Sequence, residues 1–387
     1  MKKRSFSISR RKFIRECAAC GLGTAVASSW VDVAFARAPG PNQEIPPVES
    51  LKEALFWEPL DNGRTRCTTC PNMCERDEGG ITLCKTRINR GGKLYTLTYG
   101  KPCMLCVDPL SKNPLYHVDP GSNAIGVATA GCNLSCKYCQ NWDIALVGPW
   151  RTKNIDVSPV ELVRKVTDRN LKWLTFSYTE PTAYYEYAVD TAKLAKGKGV
   201  NVAVCTAGFI CEHPLQELMK YVDAFSVTLK GYTQEFYKDV CGCNLDDVWK
   251  TIRAIFRSKR WLEVVTLIVP GLNDEDDGLR SIVRSLAGLS RDIPLHFLRF
   301  APAYKLKHLQ PTPLKTLERA HSIALKEGLG YVYIDLSGHQ AANTYCPGCK
   351  RAVIERAGFA VVSNHLRNGQ CSYCSTRIRG IFSSDLP

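Results

Sequence analysis

The sequence predicts an α/β protein centred on a parallel sheet or barrel, with a cysteine-rich module ahead of it and a cysteine-paired tail behind. Three observations predict this. Short apolar runs alternate with amphipathic helical stretches from residue 124 to about 335. Nineteen cysteines fall in tight groups, many spaced C-x2-C, which is metal-thiolate spacing rather than the disulfide framework of a small secreted domain. A three-cysteine loop, Cys132-x3-Cys136-x2-Cys139, directly follows the first apolar run, where a barrel presents chemistry at the carboxyl end of a strand.

A chain of 387 residues holds one large domain with appendages. Its 45% hydrophobic and 23% charged residues are ordinary for a globular protein. The net charge is +14, but residues 1–38 alone carry eight Lys or Arg against two Asp or Glu. Metal-bound thiolates would offset part of the remainder. With no concentrated basic stripe, nucleic acid is not expected as a partner.

The elements follow in order. Residues 1–38 read as a twin-arginine-type signal: Ser9-Arg10-Arg11-Lys12-Phe13-Ile14, a weakly apolar stretch, then Ala34-Phe35-Ala36 and Ala36-Arg37-Ala38 as cleavage candidates. This makes the twin-arginine export machinery a partner and places the protein in the periplasm or at the membrane surface. Residues 39–60 begin proline-rich and read as a linker. Residues 61–120 form the cysteine-rich module, and 121–338 the barrel. Its strands are predicted at 124–130, 173–178, 201–205, 223–229, 262–269, 294–300 and 331–334. One helix opens with a capping box, Ser158-Pro159-Val160-Glu161. Another runs from after Pro181 to about Lys198. Residues 339–387 form the tail.

The loop of Cys132, Cys136 and Cys139 offers three thiols and no fourth at matching spacing. Three thiolates leave one iron of a [4Fe-4S] cluster open to a substrate or second cofactor; a zinc or redox cysteine cluster is the alternative. Cys67, Cys70, Cys74 and Cys84 suit a zinc site or an auxiliary iron–sulfur cluster. Cys346, Cys349, Cys371 and Cys374 are two C-x2-C knuckles of zinc-ribbon type, serving as a structural staple or for substrate docking.

CxxxCx(aromatic)C after a short strand, with Tyr138 as the aromatic, resembles the signature of radical S-adenosylmethionine (SAM) enzymes. The resemblance implies a partial (β/α)6 TIM-type barrel. It also implies a [4Fe-4S] cluster on Cys132, Cys136 and Cys139 that reductively cleaves SAM to a hydrogen-abstracting 5′-deoxyadenosyl radical. Tyr138 and Asn141 then fall at cofactor-facing positions. Glu180, in Tyr178-Thr179-Glu180-Pro181-Thr182, is similar to a motif carboxylate that accepts from the SAM ammonium. Thr206 closes the third strand, and Lys230 is placed to meet the SAM carboxylate. Val264–Asp274, with its Pro270-Gly271 turn, is similar to the fifth-strand motif. Thr228 and Cys205 stand where some relatives carry acids that hold a monovalent cation. Ala301 stands where relatives often have histidine, and His296 is an alternative site histidine inside the barrel.

Across residues 60–380 the motifs resemble the AmmeMemoRadiSam-system radical SAM enzyme, itself similar to pyruvate formate-lyase activating enzyme. Two features depart from that pattern, the leader and the extra Cys103-x2-Cys106 pair. The resemblance implies an electron donor such as flavodoxin or ferredoxin, and a protein or small-molecule substrate. SAM is a cytoplasmic cofactor, so a cytoplasmic location stands against the export reading. A multi-cluster electron-transfer protein without SAM chemistry is the alternative function, but it leaves Glu180 and Lys230 idle.

Overall fold

The structure, a computed structural model, describes residues 44–334 and 336–382. The leader predicted over 1–38 lies outside the described residues. No helix among the described residues is long and apolar enough to cross a membrane.

The central sheet has eight strands. In chain order they are β1 (Pro102–Pro109), β2 (Asn123–Thr129), β3 (Trp173–Phe176), β4 (Asn201–Thr206), β5 (Ala224–Thr228), β6 (Trp261–Ile268), β7 (Leu295–Arg299) and β8 (Val332–Ile334). They lie side by side in that same order. Strands β2 to β8 are parallel, and β1 runs antiparallel to β2. The seven parallel strands are the seven apolar runs, each end within two residues. Strand β1 lies inside the stretch read as the cysteine-rich module. Two prolines and polar Asp108 hide it, and an edge strand tolerates proline.

Six longer helices follow β2 to β7: α1 (Pro159–Thr167), α2 (Tyr185–Gly197), α3 (Glu212–Met219), α4 (Leu245–Arg257), α5 (Asp276–Leu289) and α6 (Leu314–Lys326). The capping box that opens α1 forms: Ser158 Oγ accepts from Glu161 N at 3.2 Å, and Glu161 Oε2 accepts from Ser158 N at 2.8 Å. Strand residues alternate between two faces. Ile125, Val127, Leu174, Phe176, Val202, Val204, Val264 and Phe297 pack outward against the helices in one core. The intervening Gly126, Ala128, Thr175, Ala203, Cys205, Ser226 and Thr228 face inward. Most of these side chains are small, unlike the branched filling of a closed barrel; Val265 of β6 is the branched one beside Thr228.

The amino end of the sheet has a floor. After β1 the chain crosses beneath the strands, and Leu110, Leu115 and Val118 pack with Trp173, Ala203 and Ala224. Beside them lies a buried polar network. Glu263 accepts from Tyr116 N at 3.0 Å, His117 N at 2.9 Å, Trp261 Nε1 at 2.9 Å and His296 Nε2 at 2.7 Å. His117 Nε2 meets the Tyr333 hydroxyl at 2.5 Å, and its Nδ1 meets the Arg379 carbonyl at 2.6 Å. Arg356 from the tail donates to the Tyr116 carbonyl at 2.8 Å and lies 4.1 Å from its ring centroid. His296 therefore serves the floor of the barrel, where retained polar residues act on stability.

Burial pushes the His117 imidazole down to about 4. The unfolded chain takes up this proton near pH 6.5 and the folded one only near 4, so stability falls as pH drops through that window and levels off below it. The loss is roughly 3 kcal/mol. Urea midpoints measured at pH 7 and pH 4.5 should show it, and His117→Gln should shrink the difference.

Ahead of β1 the module holds two three-stranded antiparallel sheets. One joins Lys52–Glu53, Lys93–Thr96 and Arg87–Arg90; the other joins Trp57–Pro59, Thr65–Cys67 and Glu75–Arg76. Two of these strands fall within residues 39–60, read above as linker. The module is tied to α2 by a buried ion pair, Arg87 Nη2 to Glu186 Oε2 at 3.0 Å, with side chains 1% and 0% exposed. The tail has an antiparallel sheet of Thr344–Tyr345, Ala352–Ala357 and Ala360–Asn364 and a short hairpin.

Candidate active site

The three-cysteine loop leaves the carboxyl end of β2 and is gripped on every side. Gly131 opens it at φ +95°, where a Cβ would lie 2.2 Å from Thr86 Cγ2 and 2.5 Å from the Cys84 carbonyl oxygen. Only glycine fits that backbone conformation against those neighbours. Further along, Ser135 N donates to the Cys241 carbonyl and Lys137 N to the Val240 carbonyl, both at 2.9 Å. Lys305 N closes on the Lys137 carbonyl at 2.9 Å. Asn133 Nδ2 donates to the Phe209 carbonyl at 2.7 Å, and Asn72 of the module donates to the Asn133 carbonyl at 2.8 Å. The loop is thus held by the module, by the segment after β5 and by the segment after β7.

Within it Cys136 is buried, and Cys132 and Cys139 are half-buried. Burial pushes the Cys132 thiol well up, and Cys139 up to about 11. Cys136 goes the other way. A hydrogen bond with the Cys241 thiol and the nearby Lys230 ammonium favour its thiolate, outweighing burial. Lys230 is itself pulled down by burial, but the thiols of Cys136, Cys241 and Cys132 outweigh this and hold it above its ordinary value. The ammonium thus lies within electrostatic reach of the thiols. Its Nζ stands 6.0 Å from the Tyr138 ring centroid. Tyr138 is 5% exposed, with its hydroxyl 3.8 Å from Cys241 Sγ.

The other motif residues converge on the same end of the sheet. Asn141 Nδ2 donates to the Tyr178 carbonyl at 2.7 Å, joining the cysteine loop to the end of β3. Glu180 Oε1 accepts from Thr182 N at 3.3 Å, Thr182 Oγ1 at 2.9 Å and Thr206 Oγ1 at 2.6 Å; Oε2 accepts from Ala207 N at 2.8 Å. Glu180 thus caps the turn Pro181–Tyr184 and ties β3 to β4. Its Oε2 keeps one lone pair for a further donor. After β6, Asn273 Nδ2 donates to the carbonyls of Lys230 at 2.7 Å and Leu267 at 2.8 Å, which fixes the backbone that carries Lys230.

The two cysteine tetrads lie outside this centre, the module's directly behind the loop, where the Cys84 carbonyl meets Gly131. Cys67, Cys70, Cys74 and Cys84 are all buried in the module behind the loop. Cys84 Sγ meets the hydroxyls of Thr82 at 3.1 Å and Thr86 at 3.0 Å. The tail tetrad belongs to the opposite end of the barrel, tied there by Arg356 and His117. The ligand atoms of Cys346, Cys349, Cys371 and Cys374 all lie within 4.8 Å of one another. Two residues at the centre went unassigned in the sequence. Cys241, which bonds Cys136, stands in Cys241-Gly242-Cys243, a spacing that by itself points to no role at the loop. Asn273 was seen as part of a turn, and its reach to Lys230 has no local signal.

The arrangement is three thiols on one loop, a lysine within electrostatic reach of them and a carboxylate, all at the carboxyl ends of β2, β3 and β5. The family model described as the radical SAM superfamily matches residues 127–281, which hold this arrangement. An uncharacterized protein of Methanocaldococcus jannaschii is 40% identical over 332 residues, covering 85% of this chain and 99% of its own. The chain belongs to the radical SAM superfamily and is an enzyme of that type. Its relatives include activating enzymes. The pyruvate formate-lyase-activating enzyme of Clostridium pasteurianum is 28% identical over 182 residues, 44% of this chain and 71% of its own. The isethionate sulfite-lyase activating enzyme of Oleidesulfovibrio alaskensis is 25% identical over 240 residues, 60% of this chain and 75% of its own.

Proposed function

We propose that Cys132, Cys136 and Cys139 hold a [4Fe-4S] cluster with one iron left to SAM, and that Asn141, Glu180, Thr206 and Lys230 form the SAM site, with Tyr138 backing it. The observation that carries this is the gripped loop itself: three thiols on one loop held by backbone hydrogen bonds from neighbouring segments, over a sheet face lined by small side chains. Bound together, cluster and SAM supply a 5′-deoxyadenosyl radical. The chain's own residues do the rest. Lys230 is placed for the SAM carboxylate, the free lone pair of Glu180 for its ammonium, and the floor keeps water from entering from below. The chain fits the cluster because it commits three thiols and supplies a compensating charge.

The experiment is anaerobic reconstitution with iron and sulfide, then dithionite and SAM, reading 5′-deoxyadenosine. Product supports the proposal. None from a fully loaded cluster moves the reading to electron transfer. The activating enzymes among the relatives favour a protein substrate and a flavodoxin- or ferredoxin-type reductant. The AmmeMemoRadiSam resemblance leaves a small molecule as the other substrate class.

For the tail we propose zinc. Zn–S bonds of about 2.3 Å place tetrahedral sulfurs about 3.8 Å apart; here Cys346 and Cys374 Sγ are 3.6 Å apart and Cys349 and Cys371 Sγ 3.7 Å. Cys346→Ser is expected to remove one zinc per chain, read by elemental analysis, and to open the tail to protease with little effect on SAM cleavage. For the module tetrad the reading stays zinc or an auxiliary cluster, and among the described residues only the tail tetrad brings its ligand atoms within 4.8 Å of one another. The leader supports export of the folded, loaded protein by the twin-arginine route. Cell fractionation decides between that and the cytoplasm, where SAM is made.

A further inference from the structure

We propose that Cys106 is the hydrogen-atom donor of the barrel interior, a thiol that quenches carbon radicals formed there. The inference rests on the radical reading above.

Cys106 lies midway along β1, directly across from Gly126 of β2. Ile125 and Val127, on either side of Gly126, pack outward against the helices, so Gly126 and the thiol opposite it face the interior. A Cβ on Gly126 would stand 3.4 Å from Cys106 Sγ and 3.1 Å from Tyr178 Cε2. The missing side chain is what lets the thiol and the ring meet there. Tyr178 reaches this place from a left-handed backbone, φ +67°, which is a strained conformation for an aromatic residue. Its hydroxyl donates to Asp108 Oδ2. Cys106 Sγ stands 3.3 Å from that hydroxyl and 3.0 Å from the same carboxylate oxygen. Asp108 Oδ1 takes Lys112 Nζ at 2.6 Å, and the lysine is 40% exposed. A hydrogen-bonded path therefore runs from solvent through Lys112 and Asp108 to the thiol.

This group is also joined to the reactive end. The Tyr178 carbonyl takes the Asn141 amide at 2.7 Å, two residues past Cys139. The other cysteine of the C-x2-C pair sits deeper. Cys103 is 3% exposed in a cluster with Met104, Ala128 and Ile144, and Cys106 and Tyr178 pack against that cluster while Cys106 stays half-buried. Burial, then the Asp108 charge, push the Cys106 thiol up to about 12. It stays S–H, the form that can give up a hydrogen atom.

The step balances. A carbon radical R• takes the hydrogen atom of Cys106: the S–H bond breaks, a C–H bond forms, and a thiyl radical remains. The thiyl takes one electron from the reductant that serves the cluster. It takes one proton by way of Lys112 and Asp108, restoring S–H. For a primary carbon radical such as 5′-deoxyadenosyl the S–H bond is weaker than the C–H bond formed, so that transfer runs downhill.

The test needs no identified substrate, because the radical from SAM is itself the probe. The loaded protein is turned over with SAM and dithionite in D2O, and the 5′-deoxyadenosine is weighed by mass spectrometry. The expected result is one deuterium incorporated in the wild type, kept in Cys205→Ala, and lost in Cys106→Ala. Cys106→Ser keeps the size of the side chain, but its O–H bond is too strong to donate, and it should lose the label as well. A nitrone spin trap added during turnover should be found by peptide mass spectrometry on Cys106, a readout on the protein itself. Unlabelled 5′-deoxyadenosine from the wild type overturns this inference alone. So does a label that survives in Cys106→Ala and is lost in Tyr178→Phe. A wild type that makes no 5′-deoxyadenosine overturns the functional reading and this inference with it.

Discussion

Cys136→Ala is expected to lower 5′-deoxyadenosine formation by at least about a thousandfold, roughly 4 kcal/mol of barrier. Cys136 is the one loop thiol whose surroundings favour the thiolate, and the thiolate is the ligand form. Losing it leaves two cysteines, and two do not hold a four-iron cluster. The adjacent Cys241 is no substitute. It is fully buried, and its own carbonyl takes Ser135 N, so it is fixed behind the loop rather than within it. The check is iron per chain together with the product assay. The variant should bind less iron and form no product. Cys241→Ala should keep its iron, since it removes a hydrogen bond and no ligand.

Arg87→Met is expected to destabilise the protein by about 3–5 kcal/mol, the usual cost of breaking one side of a buried ion pair. Arg87 and Glu186 are sealed from water. Arg87 also donates to the carbonyls of Ala183 at 3.3 Å and Thr182 at 3.4 Å, next to Glu180. Without the guanidinium, the Glu186 carboxylate stays buried with the Leu55 N–H at 3.2 Å and little else. The urea midpoint measures the loss. Arg87→Met combined with Glu186→Met should recover most of it, because then no uncompensated charge is left inside.

Much of this was legible in the chain. The parallel strands could be read because each is a short apolar run, buried on its helix-facing side and bounded by helical periodicity. The helix start at Ser158 was legible because a capping box is entirely local. The cysteine loop and Glu180 were legible because their spacing is local too. What escaped was produced by distant pairing. Strand β1 exists only because residues 102–109 find β2; on their own, two prolines and a charge read as loop. His296 alternates with apolar residues, as an interior catalytic histidine would. Its role is set by Glu263, thirty-three positions earlier on the neighbouring strand. Cys241 reaches Cys136 only through the fold. Side chains whose partners lie far along the chain carry no local signature of what they do.

Gly131 presses on the backbone at Cys84 with no space for a methyl group between them. The barrel is therefore not a free-standing machine onto which a cysteine-rich cap has been grafted. One wall of its most important loop is built from residues that precede the first strand of the sheet. A fragment cut to begin at residue 101 would retain every strand of the central sheet and all three loop cysteines, yet the loop would lose the wall that Asn72, Cys84 and Thr86 give it. In a chain made from its amino end, that wall emerges first and awaits the loop. On the proposed reading, a cluster on this loop would be loaded only once the module is folded behind it.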